Sequence, residues 1–321
     1  MSGIFALSWF EHRRIRGLCA GLGVELAVLS TGLKGVGRYA LLAVRTFRLL
    51  ARRRPHVLLV QNPSVILTVL AVAWRPIFGY RVVVDAHNEA IVPFIHRQRC
   101  VQRVSRWLLR RADLTIVTNP QLAHIVESKN GRAFVLPDRI PTPAVGTPRP
   151  LQGGFKVVLI ATFAPDEPLA SAFEAVRDAR LTLYVTGDCR KLDPKIATTV
   201  PSNVIFTGFL DDNSYWDLLR AADAILDLTL MPDCLVGGAY EALALGKAMV
   251  LSGNAASVKT FGGAAIFTDN STDDLRSALI RVSLERQRLE AAAARKRREL
   301  DDAWTCSSRQ LLAEIATWES C

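Results

Sequence analysis

Short, unbroken apolar runs alternate along the first half of the chain with longer stretches whose apolar positions recur every three or four residues. The runs are IFALSWF, VELAVLS, HVLLVQNP, RVVVDAHN, DLTIVTNP and AFVLPD. Between them the periodicity predicts helices near Arg14 to Leu22, Tyr39 to Arg53, Ser64 to Trp74, a further one through Arg111, and one near Gln121 to Ser128. Strands that are apolar on both sides belong in a parallel sheet covered by helices on both faces. From Arg139 to Gly154 the segment RIPTPAVGTPRPLQGG holds four prolines and three glycines and has no period, which predicts an interdomain linker. The alternation then restarts with KVVLIAT, a helix near Pro168 to Asp178, LTLYVTGD, NVIFTGF, a helix from Asn213 to Ala222, AILDLT, a helix containing Glu241, AMVLSG and AAIFTD. A long helix from about Thr272 to Leu300 follows. The expected architecture is α/β, with two doubly wound, Rossmann-like domains facing a cleft: residues 1–148, residues 149–302, and a closing segment 303–321.

Composition narrows this picture without overturning it. At 321 residues, half of them apolar, the chain can bury two cores without disulfides. The six cysteines include no CxxC pair and the histidines no HxxxH spacing, so neither a disulfide framework nor a zinc site is expected. IFALSWF is too short for a signal h-region, and no basic segment precedes it, so a reduced, cytoplasmic setting is expected. SVILTVLAVAW is about half the roughly 20 residues a membrane helix needs and reads as a buried helix. Residues 1–148 carry 21 Lys and Arg against 7 Asp and Glu, whereas residues 149–321 carry 19 against 23. Such a one-sided field suits an acidic membrane surface, a pyrophosphate-linked substrate or nucleic acid. The bland alternative is a well-solvated arginine-rich surface.

The most informative stretch is MPDCLVGGAYEALALGKAMV, Met231 to Val250. Gly237 and Gly238 permit a sharp turn into a helix expected to begin near Ala239, whose unpaired N–H groups and positive dipole end suit a diphosphate. Glu241 in the first turn can accept hydrogen bonds from a ribose diol, and Asp233 can approach a sugar beyond the diphosphate. The competing reading makes Glu241 a partner of the helix dipole and Asp233 a turn residue.

That stretch resembles the donor-site signature of family 4-like (group 1) GT-B glycosyltransferases, in which E-x7-E leads into a helix and strand matched here by EALALGKAMV. Asp233 stands at the first acid and Glu241 at the second; Lys247-Ala248 stands where the family usually has a residue followed by Pro. FTGFLDDNSYWDLLRAADAILD is similar to the family's segment ending in ADA, with Phe209 and Leu210 placed to cover the base. Trp304 and LLAEIATW resemble the terminal helix that crosses back to the first domain. VLLVQNPSVILTVLAVAW, with its Asn62-Pro63 step, and the D-x-H-N element at Asp85 to Asn88 also resemble mannosyltransferases that extend lipid-linked chitobiose. Transfer of a hexose from a UDP- or GDP-sugar to a lipid-linked or exopolysaccharide intermediate is what the resemblance implies. Family 4 implies retention at the sugar carbon and the chitobiose enzymes inversion; the Asp233 to Glu241 spacing leans to retention.

His87 and Asn88 follow a strand, where a near-neutral histidine can handle a proton. His12, Arg13 and Arg14 follow the first strand and, with Asn62, are candidates for acceptor contacts. On the donor side, Thr162 and Phe163 in IATFAPDEP, Gly187 and Asp188 in TGD, and Gly237 to Tyr240 are candidate neighbours. Asp166 and Glu167 replace the basic pair that many family members place on the donor phosphates. Asp211-Asp212 reads as a turn and not a DxD metal site, so no cofactor or metal is expected. Two basic stretches, Arg38 to Arg54 and Arg97 to Arg111, interleave arginine with apolar residues. The first reads equally as a helix on the sheet; the second, through Arg103, Arg106, Trp107 and Arg110, as a helix on anionic lipid at the inner face of the cytoplasmic membrane. No nucleic-acid module is recognisable. The alternatives are a nucleotide-sugar epimerase of the same fold and a non-catalytic membrane-associated adaptor.

Overall fold

The computed structural model describes residues 3–62, 64–91, 99–148 and 150–319; Pro63 of the Asn-Pro step and Arg97 of the basic stretch lie outside the described residues. The chain forms two compact units. One comprises the chain up to Arg139 together with the chain from Asp302 onward, and the other runs Ile140–Asp301. The division falls at Arg139/Ile140 and not near 148 because Ile140 packs into the second core, where Ala144 and Leu151 also rest.

In the first unit β1 (Ile4–Ser8), α1 (Arg13–Leu22), β2 (Glu25–Val28), α2 (Gly35–Arg53), β3 (Val57–Asn62), α3 (Val65–Phe78) and β4 (Arg81–Ala86) alternate. They are followed by α4 (Asn88–Ile91), α5 (Arg99–Arg111), β5 (Leu114–Val117), α6 (Pro120–Ser128) and β6 (Ala133–Val135). The strands pair in parallel in the order β2-β1-β3-β4-β5-β6. All of β3 is buried, which is why HVLLVQN shows no alternation. On one face Leu58, Val60, Val82 and Val84 meet Leu42 and Leu50 of α2, Leu67 of α3 and Leu108 of α5. On the other, Leu59, Val83 and Ile116 meet Ile15 and Leu18 of α1.

The second unit contains β7 (Phe155–Leu159), α7 (Leu169–Val176), β8 (Leu181–Thr186), α8 (Pro194–Ala197), β9 (Val204–Gly208), α9 (Asp212–Ala221) and β10 (Ala224–Asp227). It continues through α10 (Gly237–Leu245), β11 (Ala248–Ser252), α11 (Ala255–Phe261), β12 (Ile266–Thr268), α12 (Thr272–Leu284) and α13 (Arg286–Ala316). Its six parallel strands run β12-β11-β10-β7-β8-β9. α7 and α12 cover one face through Phe173, Leu275 and Leu279. α9, α10 and α11 cover the other through Trp216, Leu219, Leu243 and Phe261.

Two expectations need correction here. The single helix from Thr272 to Leu300 is two helices, parted at Glu285, whose N–H closes α12 on the Arg281 carbonyl; neither glycine nor proline marks the break in the sequence. The Ser64 to Trp74 segment, read as a buried helix, enters α3, whose buried residues are Leu67, Thr68, Ala71 and Val72, with Val65 and Ile66 exposed. α13 belongs to both units, burying Leu289 and Ala293 in the second and Trp304, Leu311 and Ile315 in the first. Trp304 lies over Gly21, where an added Cβ would stand 2.1 Å from the indole, and donates its N–H to the Pro137 carbonyl at 3.2 Å.

Candidate functional site

In open parallel sheets ligands sit beyond the carboxyl ends of the strands where the winding direction reverses. The strand orders put that reversal between β1 and β3 in the first unit and between β7 and β10 in the second. His12 to Arg14 follow β1 and Asn62 ends β3 at the first reversal, and Thr162, Phe163 and Asp233 to Glu241 follow β7 and β10 at the second; the other candidates follow neighbouring strands or lie on α5.

In the first unit the ends of β1, β3 and β4 bring together Ser8, Gln61, Asn62 and His87. Ser8 Oγ, which donates to the Phe10 carbonyl at 2.7 Å, also lies 3.3 Å from the Gln61 side-chain oxygen, and the Gln61 amide nitrogen, a donor only, faces His87 Nε2 at 2.9 Å. That nitrogen therefore carries no proton. Burial, the largest influence, holds the His87 imidazole down to about 4, with Asp85 opposing and Arg14 and His12 assisting. The expectation of a near-neutral, proton-handling His87 is thereby corrected: at neutral pH it is an uncharged ring whose free N–H is the group it offers to a ligand. His12 packs edge-on against it, ring centroids 4.9 Å apart, and also caps α1 by accepting from the Arg14 N–H at 3.3 Å. The Asn62 side-chain oxygen is buried and has no hydrogen-bond partner among the described residues. Such a group costs about 1–3 kcal/mol unless a ligand satisfies it.

Arg14 departs from its expected acceptor role. Its guanidinium is bidentate on fully buried Asp85, at 2.6 and 2.9 Å, and reaches Asp138 at 2.6 Å. These two carboxylates outweigh desolvation and raise its pKa further. Arg14 thus ties the β1, β4 and β6 ends together. Arg13 is exposed, and Asn88 opens α4.

In the second unit α10 begins at Gly237, two residues earlier than expected, with no side-chain cap. Gly238 fits tightly: a Cβ there would lie 2.4 Å from Asp227 Oδ2 and 2.5 Å from Ile160. Its N–H donates to Asp227 at 2.7 Å, so one of the amides expected to receive a diphosphate already has a partner. Gly237 is exposed with open space around it. Burial pushes the Asp227 carboxyl well above its usual range, the Gly238 N–H opposing and Glu241, Glu167 and Asp166 reinforcing.

Glu241 is buried and accepts a hydrogen bond from the Tyr215 hydroxyl of α9. Ala239 and Tyr240 are buried in the core, Tyr240 against Phe261. Asp233 sits in the left-handed region at φ 52°. The neighbouring Cys234 carbonyl is gripped by Asn254 at 2.8 Å and Ser257 at 3.2 Å. After β7, the Glu167 carboxylate accepts from the Thr162 N–H and hydroxyl and the Phe163 N–H at 2.6–2.8 Å. Those amides, expected to neighbour the donor, are committed to an internal acid. Asp166 accepts from the Thr229 hydroxyl at 2.7 Å and so links the loops after β7 and β10. Gly187, at φ 94°, passes so close to the Ala161 carbonyl that a Cβ would lie 2.3 Å away. Asp188 holds Arg190. Phe209 is 87 % exposed while Leu210 rests on the core.

No known family profile and no curated protein matches the sequence. Solved structures match over nearly all of it. Sucrose-phosphate synthase of Thermosynechococcus elongatus superposes with a TM-score of 0.78 at 14 % identity, covering 98 % of this chain and 99 % of that one. HepE of Anabaena, solved with UDP and glucose, gives 0.73 at 15 % identity over 97 % and 91 %. The fold is GT-B. A proposed UDP-N-acetylglucosamine 2-epimerase of Listeria monocytogenes also matches, at 0.65 and 14 % identity over 99 % and 98 %.

Within this GT-B chain sequence reading missed Gln61, Tyr215, Asp227 and Asn254. Asp227 left one visible sign, an acid closing the apolar run AILD. The other three carry none, since a lone Gln, Tyr or Asn gains a role only from what lies across the sheet. On α5, Arg103, Arg106, Trp107 and Arg110 are exposed, while Ser105, Leu108 and Leu109 are buried. Among the described residues no group of His, Cys, Asp and Glu could hold a metal, and no helix is long and apolar enough to cross a membrane.

Proposed function

We propose that this GT-B chain is a glycosyltransferase that moves a hexose from a UDP- or GDP-sugar to a lipid-linked or polysaccharide acceptor. The observation that carries the reading is Glu241: a buried carboxylate one turn into a helix opening at the β7/β10 reversal, oriented by Tyr215. In that position it is suited to accept from a ribose diol, with the exposed Gly237 end of α10 directed at the diphosphate. HepE, with the same fold, is solved with UDP and glucose. Asp233, left-handed on a loop pinned by Asn254, would meet the sugar. Asn62 and the His87 N–H would orient an acceptor hydroxyl, and the rate enhancement would come from positioning and from stabilising the departing diphosphate. Retention at the transferred carbon, turnover without metal, and residence on the inner membrane face through α5 complete the proposal.

Thermal shift with UDP-, GDP- and dTDP-sugars tests the donor. A ligand at 100 times its Kd stabilises by roughly 2.7 kcal/mol. A UDP-sugar should raise the melting temperature of the wild type and not of Glu241→Ala; no response to any nucleotide sugar would sink the reading. Turnover should survive excess EDTA, and NMR of the product anomer reads the stereochemistry. The epimerase-like match favours one second reading, donor epimerisation. Conversion of UDP-sugar with no acceptor present would establish it.

A further inference from the structure

From Leu26 to Val84 the chain carries nine Lys and Arg and no Asp or Glu. That segment holds α2 and α3, which pack side by side on one face of the first sheet. Each turns a second apolar stripe outward. On α2, Val36 is 85 %, Val44 47 % and Phe47 39 % exposed; on α3, Ile66 is 40 % and Ile77 64 % exposed. Phe47 joins the two stripes by edge contacts to Trp74 at 5.4 Å and Phe78 at 5.0 Å. These exposed residues lie on two adjacent helices and are joined through Phe47, unlike the single scattered apolar residues of an ordinary surface. Arginines border it: Arg45, Arg48 and Arg52 lie exposed on α2.

We infer that the α2–α3 face inserts into the headgroup region of an anionic bilayer, Ile66, Ile77, Val44 and Phe47 entering the acyl boundary and the α2 arginines meeting lipid phosphates. Charge selects this occupant. A protein groove would need a strongly acidic rim to match, whereas an anionic leaflet supplies negative charge everywhere the arginines reach. The inference rests on the proposed action at a membrane, but it assigns insertion to helices other than α5, whose outward side is arginine with Trp107 alone. Its test reads binding and not turnover, so it fails separately from the donor reading.

Flotation of the full chain with vesicles of phosphatidylcholine alone, and with about one-third phosphatidylglycerol, measures it. Binding should favour the anionic vesicles at least tenfold and weaken at high salt. Ile66→Ser with Ile77→Ser should lower anionic-vesicle binding roughly tenfold, and Arg45→Glu with Arg48→Glu should abolish the lipid preference. Leu284→Ser, an equally open apolar site in the second unit, should change nothing. Melting temperatures within a degree or so of the wild type verify that the variants fold. Equal binding to both vesicles, no binding to either, or anionic binding indifferent to Ile66 and Ile77 would overturn the inference. So would a self-associated species in gel filtration that the isoleucine substitutions dissolve, which would give the face to a second copy of the chain.

Discussion

Two buried titratable groups oppose each other in their effect on stability. His87 binds its proton only near pH 4 in the fold but near its ordinary 6.5 when unfolded. Between those values the unfolded chain takes up the extra proton. Its contribution is therefore complete above pH 6.5 and lost as pH falls from there toward 4, by up to about 3 kcal/mol. His87→Gln should flatten this limb, measured as the variant-minus-wild-type difference in urea-unfolding free energy at acid and neutral pH. Asp227 runs the other way. Its raised folded pKa gives stability at low pH that is lost as pH rises through the folded value. Asp227→Asn keeps an oxygen for the Gly238 N–H and cannot ionise, so its melting temperature should exceed the wild type's, by more at about pH 8 than at about pH 5, the difference vanishing only where the unfolded carboxyl is itself protonated. A variant less stable at both would show that the carboxyl is needed for another contact. Neither group's environment was legible in the sequence. His87 was found because it follows a strand, but its low pKa comes from burial among the strand ends and from Arg14 and His12, with Asp85 opposing.

At the scale of elements, the turn into α10 concentrates the constraint on one of two adjacent glycines. Gly238→Ala drives a methyl into Asp227 and Ile160 and should cost about 1–3 kcal/mol while weakening nucleotide-sugar binding. Gly237→Ala, with open space around it, should leave stability within about 0.5 kcal/mol of the wild type; denaturant melts of the pair separate the two. The sequence marked the Gly-Gly pair and the helix after it, because glycine and the apolar period are local signals. It did not show which glycine the backbone demands, since that depends on β10 and β7 lying side by side. α11 went unread for a related reason. Seven residues are too few for a period to emerge, yet its cap Asn254 holds the loop that carries Asp233.

Over the whole molecule, α13 is shared by the two units, and its distal turns complete the first unit's core. Trp304→Ala removes a side chain buried against Gly21 and bonded to Pro137. It should lower unfolding free energy by about 3–5 kcal/mol, read by tryptophan-independent circular dichroism in denaturant. The sequence by itself determined that there are two α/β units, their strand and helix succession, the basic bias of the first half and the Asp233 to Glu241 stretch. Each of those is written in neighbouring residues. Only the tertiary structure decided that Arg14 turns inward to Asp85, that Glu167 occupies the Thr162 and Phe163 amides, that Asp227 meets Gly238, and that α3 faces outward as well as in. The Arg14 and Asp227 contacts depend on which strands lie side by side, and that arrangement joins residues too far apart along the chain for a local pattern to record; the Glu167 contact spans only four or five residues but depends on the path of the loop after β7.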